Sequence, residues 1–237
     1  MNKMFTIITN ELINVIERNG TNKPELRQNL IMKELNKTIE CTTISTNELI
    51  SEQWLSRIHN LQYLNFLKYA YESLYLMNDP HWMNEDGGLV PNHFYKSKPN
   101  KSVPLYKLSG YYGSDYMTPI YSDTYKNIMM SANQAYLAAD IIDNDKSKIV
   151  YVLACSPGHH AKSNEYGGYC FVNNAFVAAY RLIELGKNKV AILDIDFHAG
   201  NGTAELVNTH KLKDKIYAYS LHCNPEHDYP SFEGYID

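Results

Sequence analysis

The stretch Val190-Ala191-Ile192-Leu193-Asp194-Ile195-Asp196-Phe197-His198-Ala199-Gly200-Asn201-Gly202-Thr203 decides how this chain is read. Its four leading apolar residues have the texture of a buried parallel strand, yet they run directly into two aspartates and a histidine. An ionised carboxylate in a dry interior is costly unless it is paired or holds a metal. The period of two along a strand places residues 194, 196 and 198 on one face. They then converge at the carboxyl end of a strand, where open α/β sheets bind their ligands. The pattern points to a divalent metal site. Asp196 and His198 suit a zinc-like ion, and Asp194, one repeat back, suits the support of a neighbouring group. A solvent-facing acidic strand end is the competing reading; the tight Gly200-Asn201-Gly202 turn right after His198 weighs against it. Spacing alone does not select the metal.

The second half of the chain alternates around this stretch. Residues 149–154 read as a strand, 172–185 as an amphipathic helix closed by Gly186, 190–193 as the next strand, 204–209 as a short helix and 216–221 as another strand. This βαβαβ texture implies an α/β fold with a parallel sheet flanked by helices. The strand over 149–154 ends in Cys155-Ser156-Pro157-Gly158-His159-His160, on the same sheet edge as the acidic cluster. Adjacent histidines point in different directions and are not expected to share one ion. They read instead as a general acid/base pair, each ring needing a carboxylate or amide to fix its tautomer, with Asp194 and Asn201 as candidate orienters. Two surface histidines in a turn are the bland alternative. Between the clusters lies Tyr166-Gly167-Gly168-Tyr169-Cys170-Phe171-Val172-Asn173-Asn174. Gly167 and Gly168 permit close backbone approach to a ligand. Tyr169 suits the wall of a narrow channel, although core packing of the aromatics fits equally well. Asn173 or Asn174 suits the cap of the following helix, and Cys170 reads as a small buried residue rather than a nucleophile.

The first half is plainer. Residues 1–60 read as largely helical with breaks, including a helix over 25–36 and another from near Asn47; residues 61–77 and 125–143 also have helical spacing. Residues 80–124 are rich in Pro, Gly, Tyr and Asn, the texture of an active-site wall or lid. With 237 residues and no internal repeat, one domain over 1–237 is expected. The net charge of −4 comes with no basic patch, which argues against nucleic-acid binding. No apolar stretch is long enough to span a membrane, and the N-terminus makes a poor signal peptide. Four cysteines without a CxxC suggest thiols in a reducing compartment, hence a cytoplasmic location.

Three ordered motifs carry a resemblance: Pro157-Gly158-His159-His160-Ala161, Gly167-Gly168-Tyr169-Cys170-Phe171-Val172-Asn173-Asn174, and the run from Asp194 to Thr203. Together they resemble the zinc-dependent histone deacetylase and acetylpolyamine amidohydrolase superfamily, nearer its acetylpolyamine amidohydrolase branch. Fainter echoes are Ile58-His59-Asn60, Gly110-Tyr111-Tyr112, Thr118-Pro119-Ile120 and Ser220-Leu221-His222. The resemblance implies an arginase/deacetylase-like three-layer fold and hydrolysis of the acetamide of acetylated polyamines or acetyl-lysine. It implies zinc on Asp196 and His198, His160 as general base and acid, His159 beside it, and Asp194 and Asn201 orienting the two rings. Gly168 and Tyr169 would flank the substrate channel. A structural K⁺ or Na⁺ would sit near Asp194, Asp196, His198, Ser220 and Leu221. Homo-oligomerisation stays open. Against the family pattern, the chain stops before the third zinc ligand, an Asp, and before the Tyr that stabilises the oxyanion. The domain is therefore expected to be incomplete at its C-terminus and to lack later strands. A truncated, inactive remnant or interaction module is the alternative to an enzyme.

Overall fold

The expected parallel sheet is present, in two pieces. The computed structural model describes residues 5–10, 24–95, 97, 99, 102–231 and 233–235. Strand β1 (Phe5–Thr9) is followed by helix α1 (Pro24–Thr38), strand β2 (Thr42–Ser45), the short helix α2 (Glu52–Leu55) and helix α3 (Leu61–Met77). After a wall of short turns come α4 (Ser109–Tyr112), the long helix α5 (Thr124–Asp143) and strand β3 (Ile149–Val152). Helix α6 (Asn174–Glu184), strand β4 (Val190–Asp194), helix α7 (Asn201–Thr209) and strand β5 (Ile216–Ser220) complete it. One sheet has the order β2-β1-β3 and the other pairs β4 with β5, all in parallel. The register of the second runs from Val190 opposite Ile216 to Asp194 opposite Ser220.

Two strands lie where residues 1–60 were expected to be helical. Phe5-Thr6-Ile7-Ile8-Thr9 and Thr42-Thr43-Ile44-Ser45 are rich in β-branched residues, which pack well on a pleated surface. Ile7 and Ile8 are fully buried in the central strand β1. The helix expected over 25–36 is present as α1, whereas the one expected from Asn47 starts at Glu52, where the Ser51 hydroxyl accepts from Trp54 N. Residues 11–23 lie outside the described residues.

Strand β4 is not the doubly buried strand its composition suggested. Val190 and Ile192 pack toward the core while Leu193 is 65% exposed. Its regular pleat also stops at Asp194. Beyond it, Asp194 Oδ1 accepts from Asp196 N at 3.0 Å and Asp196 Oδ1 accepts from His198 N at 2.8 Å. Asp side chains that bond the backbone two residues on make turns. The chain therefore curls through two such turns, and it is these, not the strand period, that place Asp196 and His198.

Helices α5 and α6 pack on each other, α5 also against β3 and α6 against β4. A cavity of about 360 Å³ lies beside β3, lined by Val150, Val152, Ala138, Ala175, Ala178 and Leu182. The face of β4–β5 that carries Leu193 and Tyr219 is open, and Ile195, Phe197 and Leu221 just beyond it are exposed too. The described residues of 80–124 form a packed wall: Trp82, Leu89, Tyr106 and Ile120 are buried, and Leu89 pairs with Ile120. Among the described residues, no helix is long and apolar enough to cross a membrane.

Candidate metal and proton-transfer site

Four segments meet at the carboxyl ends of β3 and β4. The first is the turn after β3, in which Ala161 N returns to Gly158 O at 3.0 Å. Gly158 takes φ +99°, which leaves no room for a side chain against the Val172 carbonyl. This turn overrides the expectation that the adjacent histidines diverge. The His159 and His160 rings lie side by side, centroids 3.9 Å apart, and both are buried. Each is held through Nδ1: His159 by Asp194 Oδ2 at 2.8 Å, and His160 by Asn201 Oδ1 at 2.8 Å. Asp194 and Asn201 thus each contact one of the two rings, one from the end of β4 and one from the start of α7.

The second segment supplies the metal-ligand candidates. Asp196 Oδ1 lies 3.1 Å from His198 Nδ1 and 3.8 Å from His159 Nε2. Two ligands sharing a tetrahedral ion at about 2.0–2.2 Å stand roughly 3.3 Å apart, so this donor pair fits half of a zinc site. Asp228 approaches the far side of the same ring, 3.5 Å from His198 Nε2, and does not complete the pair. Among the described residues, no group of three His, Cys, Asp or Glu is arranged to hold a metal. The residues named for a monovalent cation also gather here. Asp194 and Ser220 are register partners, Leu221 N donates to Asp194 O at 2.9 Å, and Ser220 Oγ accepts from Gly200 N at 3.2 Å.

The third segment is the glycine-tyrosine loop. Gly168 takes φ +54° against the His160 ring, and a Cβ there would collide with it. Tyr169 takes φ +63° and is half exposed, whereas Tyr166 is fully buried, so the loop divides its aromatics between rim and core. Asn173, rather than Asn174, caps α6 by accepting from Phe176 N at 3.0 Å. It also donates to Thr203 Oγ1 at 2.9 Å, which ties α6 to α7. Cys170 is buried, and burial pushes its thiol up to about 12, consistent with a packing role.

Several residues at the site are not among the candidate site residues read from the sequence. Asp115 accepts from Gly168 N at 2.6 Å, and Thr118 Oγ1 accepts from Tyr169 N at 2.9 Å, so the wall holds the loop in its left-handed conformation. Asp115 is marked in the sequence only by the polar texture of residues 80–124, whereas Thr118 lies in the Thr118-Pro119-Ile120 echo of the family motifs. From the fourth segment, the Tyr229 ring stands edge-on to His160, centroids 4.6 Å apart, with its hydroxyl 3.0 Å from Ser114 Oγ. Glu233 meets Asn201 and Lys162. Behind the site, His59 is completely buried; Asn173 N donates to its Nε2 at 3.2 Å, so its Nδ1–H donates to the Lys162 carbonyl at 2.8 Å.

The electrostatics favour a neutral imidazole at His160 beside ionised Asp194 and Asp196. Burial, followed by the neighbouring His159, lowers His160 to about 4. Burial raises the Asp194 carboxyl, but hydrogen bonds from His159 and Asp196 N outweigh it and leave it below the ordinary value. Asp196 behaves alike, with burial opposed by the His198 N–H and the nearby imidazoles.

The family model for the histone deacetylase domain matches residues 22–237. The chain is 35% identical over 189 residues to acetylpolyamine amidohydrolase 1 of Pseudomonas aeruginosa, covering 77% of this chain and 51% of that protein. It is 35% identical over 185 residues to the acetylpolyamine amidohydrolase of Mycoplana ramosa, covering 76% and 51%. It thus spans about half the length of these curated relatives. Among solved structures, an acetylpolyamine aminohydrolase from Burkholderia pseudomallei superposes with a TM-score of 0.79 at 24% identity, over 98% of this chain and 67% of that one. With the fold, the ordered motifs and the family match over most of its length, the chain belongs to the histone deacetylase family.

Proposed function

We propose that this chain carries the metal-binding and proton-transfer part of a zinc-dependent amidohydrolase acting on acetylated polyamines or acetyl-lysine. The observation that carries the reading is the pair of tethered imidazoles beside the Asp196–His198 donor pair. Asp196 Oδ1 and His198 Nδ1 would hold the ion; when bound, it would supply the Lewis acid that polarises the acetamide carbonyl and acidifies water. The reading assigns the third ligand and the oxyanion donor to the part of the domain that the relatives have and residues 1–237 do not span. The monovalent cation belongs to the same proposal, at the backbone and side chains that meet where Asp194 faces Ser220.

His160 is placed to move the proton. Its Nδ1 is engaged by Asn201, which leaves Nε2 to accept a proton from the attacking water and to return it to the departing amine. A pKa near 4 keeps the ring neutral at neutral pH, so its nitrogen lone pair is free of a resident proton. His159, with Asp194 behind it, supports the charge that develops beside His160. Gly168 lets the loop approach the His160 ring, and Tyr169 at the rim suits contact with an alkyl chain. The names of the related acetylpolyamine amidohydrolases favour a small acetylated amine.

The test is zinc content together with acetate release from N-acetylated polyamines and acetyl-lysine peptides. The expected result is one zinc per chain, lost in Asp196→Ala, and acetate release abolished by His160→Ala. Metal-free protein, or turnover indifferent to His160→Ala, would contradict the proposal.

A further inference from the structure

We infer that Glu233 is a positioning residue that decides which nitrogen of His160 carries the proton. The inference deepens, and rests on, the proposed role of His160. Asn201 orients His160, but an amide can present either of its ends: turned over, it would offer Nδ2 to the ring and force the proton onto Nε2. Glu233 removes that choice. Its Oε2 meets Asn201 Nδ2 at 2.5 Å, and its Oε1 accepts from Lys162 Nζ at 2.8 Å. Lys162 is steadied in turn by Glu165 at 2.8 Å. An ionised carboxylate only accepts, so it pairs with the amide nitrogen and repels the amide oxygen. Asn201 Oδ1 is thereby turned to His160, 2.8 Å from Nδ1, and can only accept from an Nδ1–H. Nε2 keeps its lone pair, the form a proton acceptor needs. His159 needs no such device, because its own orienter, Asp194, is already acceptor-only. Burial raises the Glu233 carboxyl, but the Lys162 and Asn201 hydrogen bonds outweigh it, which keeps Glu233 ionised at neutral pH.

Long-range ¹H–¹⁵N NMR of the His160 ring at pH 7.5, on the protein as purified, reads the tautomer without any turnover. Wild type is expected to show a protonated Nδ1 and a bare Nε2. Loss of one charge-assisted hydrogen bond changes such an equilibrium by about tenfold or more, so Glu233→Ala is expected to raise the Nε2–H form by at least that factor. Glu233→Gln keeps its oxygen on Lys162 Nζ and turns an N–H donor toward Asn201, so it is expected to raise the Nε2–H form as well. In an Asn201→Asp background both oxygens accept, and adding Glu233→Ala is expected to leave Nδ1–H in place. An unchanged tautomer in Glu233→Ala would overturn the inference, as would the same change in the Asn201→Asp background. The Gln variant and the double variant decide the matter if Glu233→Ala does not fold. A Glu233-controlled tautomer in a protein without acetamide hydrolysis would leave this inference standing and remove the proposed function; an unaltered tautomer in an active protein would do the reverse.

Discussion

Acidification is expected to destabilise this protein through His59, a group outside the site. His59 is fully buried, Asn173 N donates to its Nε2, and its Nδ1–H meets the Lys162 carbonyl, so both nitrogens are satisfied only in the neutral ring. Burial, the largest influence, lowers its pKa to about 4 from the ordinary 6.5. The folded state therefore takes up the proton less readily than the unfolded chain. The stabilisation is complete above pH 6.5 and is lost as pH falls from 6.5 toward 4. At about 1.36 kcal/mol per pKa unit, the shift corresponds to about 3 kcal/mol, a large part of a typical domain's stability. Urea unfolding followed by the fluorescence of Trp54 and Trp82, from pH 8 to 4.5, reads this directly. His59→Leu is expected to start lower at pH 8, since it strands the Lys162 carbonyl and the Asn173 N–H at about 1–3 kcal/mol each. It is also expected to fall less steeply with acid than wild type, by about 2.5 kcal/mol between pH 8 and 4.5. Parallel curves for the two proteins would refute the reasoning.

Three further outcomes follow from the packing. Gly168→Ala puts a Cβ into the His160 ring at φ +54°; the left-handed conformation alone costs about 1–2 kcal/mol, so calorimetry is expected to show a melting point lower by several degrees. Cys170 is expected to resist iodoacetamide at pH 8 in the folded protein while the partly exposed Cys41 and Cys223 react, as peptide mass analysis of the alkylated protein would show. Leu193, Ile195 and Phe197 are 65%, 76% and 62% exposed, so Leu193→Lys with Phe197→Glu is expected to raise solubility with stability within about 0.5 kcal/mol of wild type, read by light scattering and urea unfolding.

Much of the second half of the fold was legible because each segment obeys one period. Residues 174–184 show helical spacing closed by Gly186, and 190–194 and 216–220 are short apolar runs with a helix between them. Strands β1 and β2 were missed because five-residue and four-residue runs set among Asn, Glu and Lys leave helical and strand readings unresolved; what fixes them is pairing of β1 with β3, more than a hundred residues away, and of β2 with β1. The pairing of His159 with Asp194 and of His160 with Asn201 was legible, since both orienters lie in the motif that follows β4. The side-by-side rings were not, because they depend on Gly158 at positive φ. Asp115, Tyr229 and Glu233 reach the site from distant loops through single side chains, and no local pattern marks such residues.

The central claim is that Asp196 and His198 share a zinc ion beside His160. A crystal of the zinc-loaded protein, measured at the zinc absorption edge, tests it most directly. One anomalous peak is expected, about 2.0–2.2 Å from both Asp196 Oδ1 and His198 Nδ1. A peak placed away from this pair, or none in zinc-saturated crystals, would contradict the account.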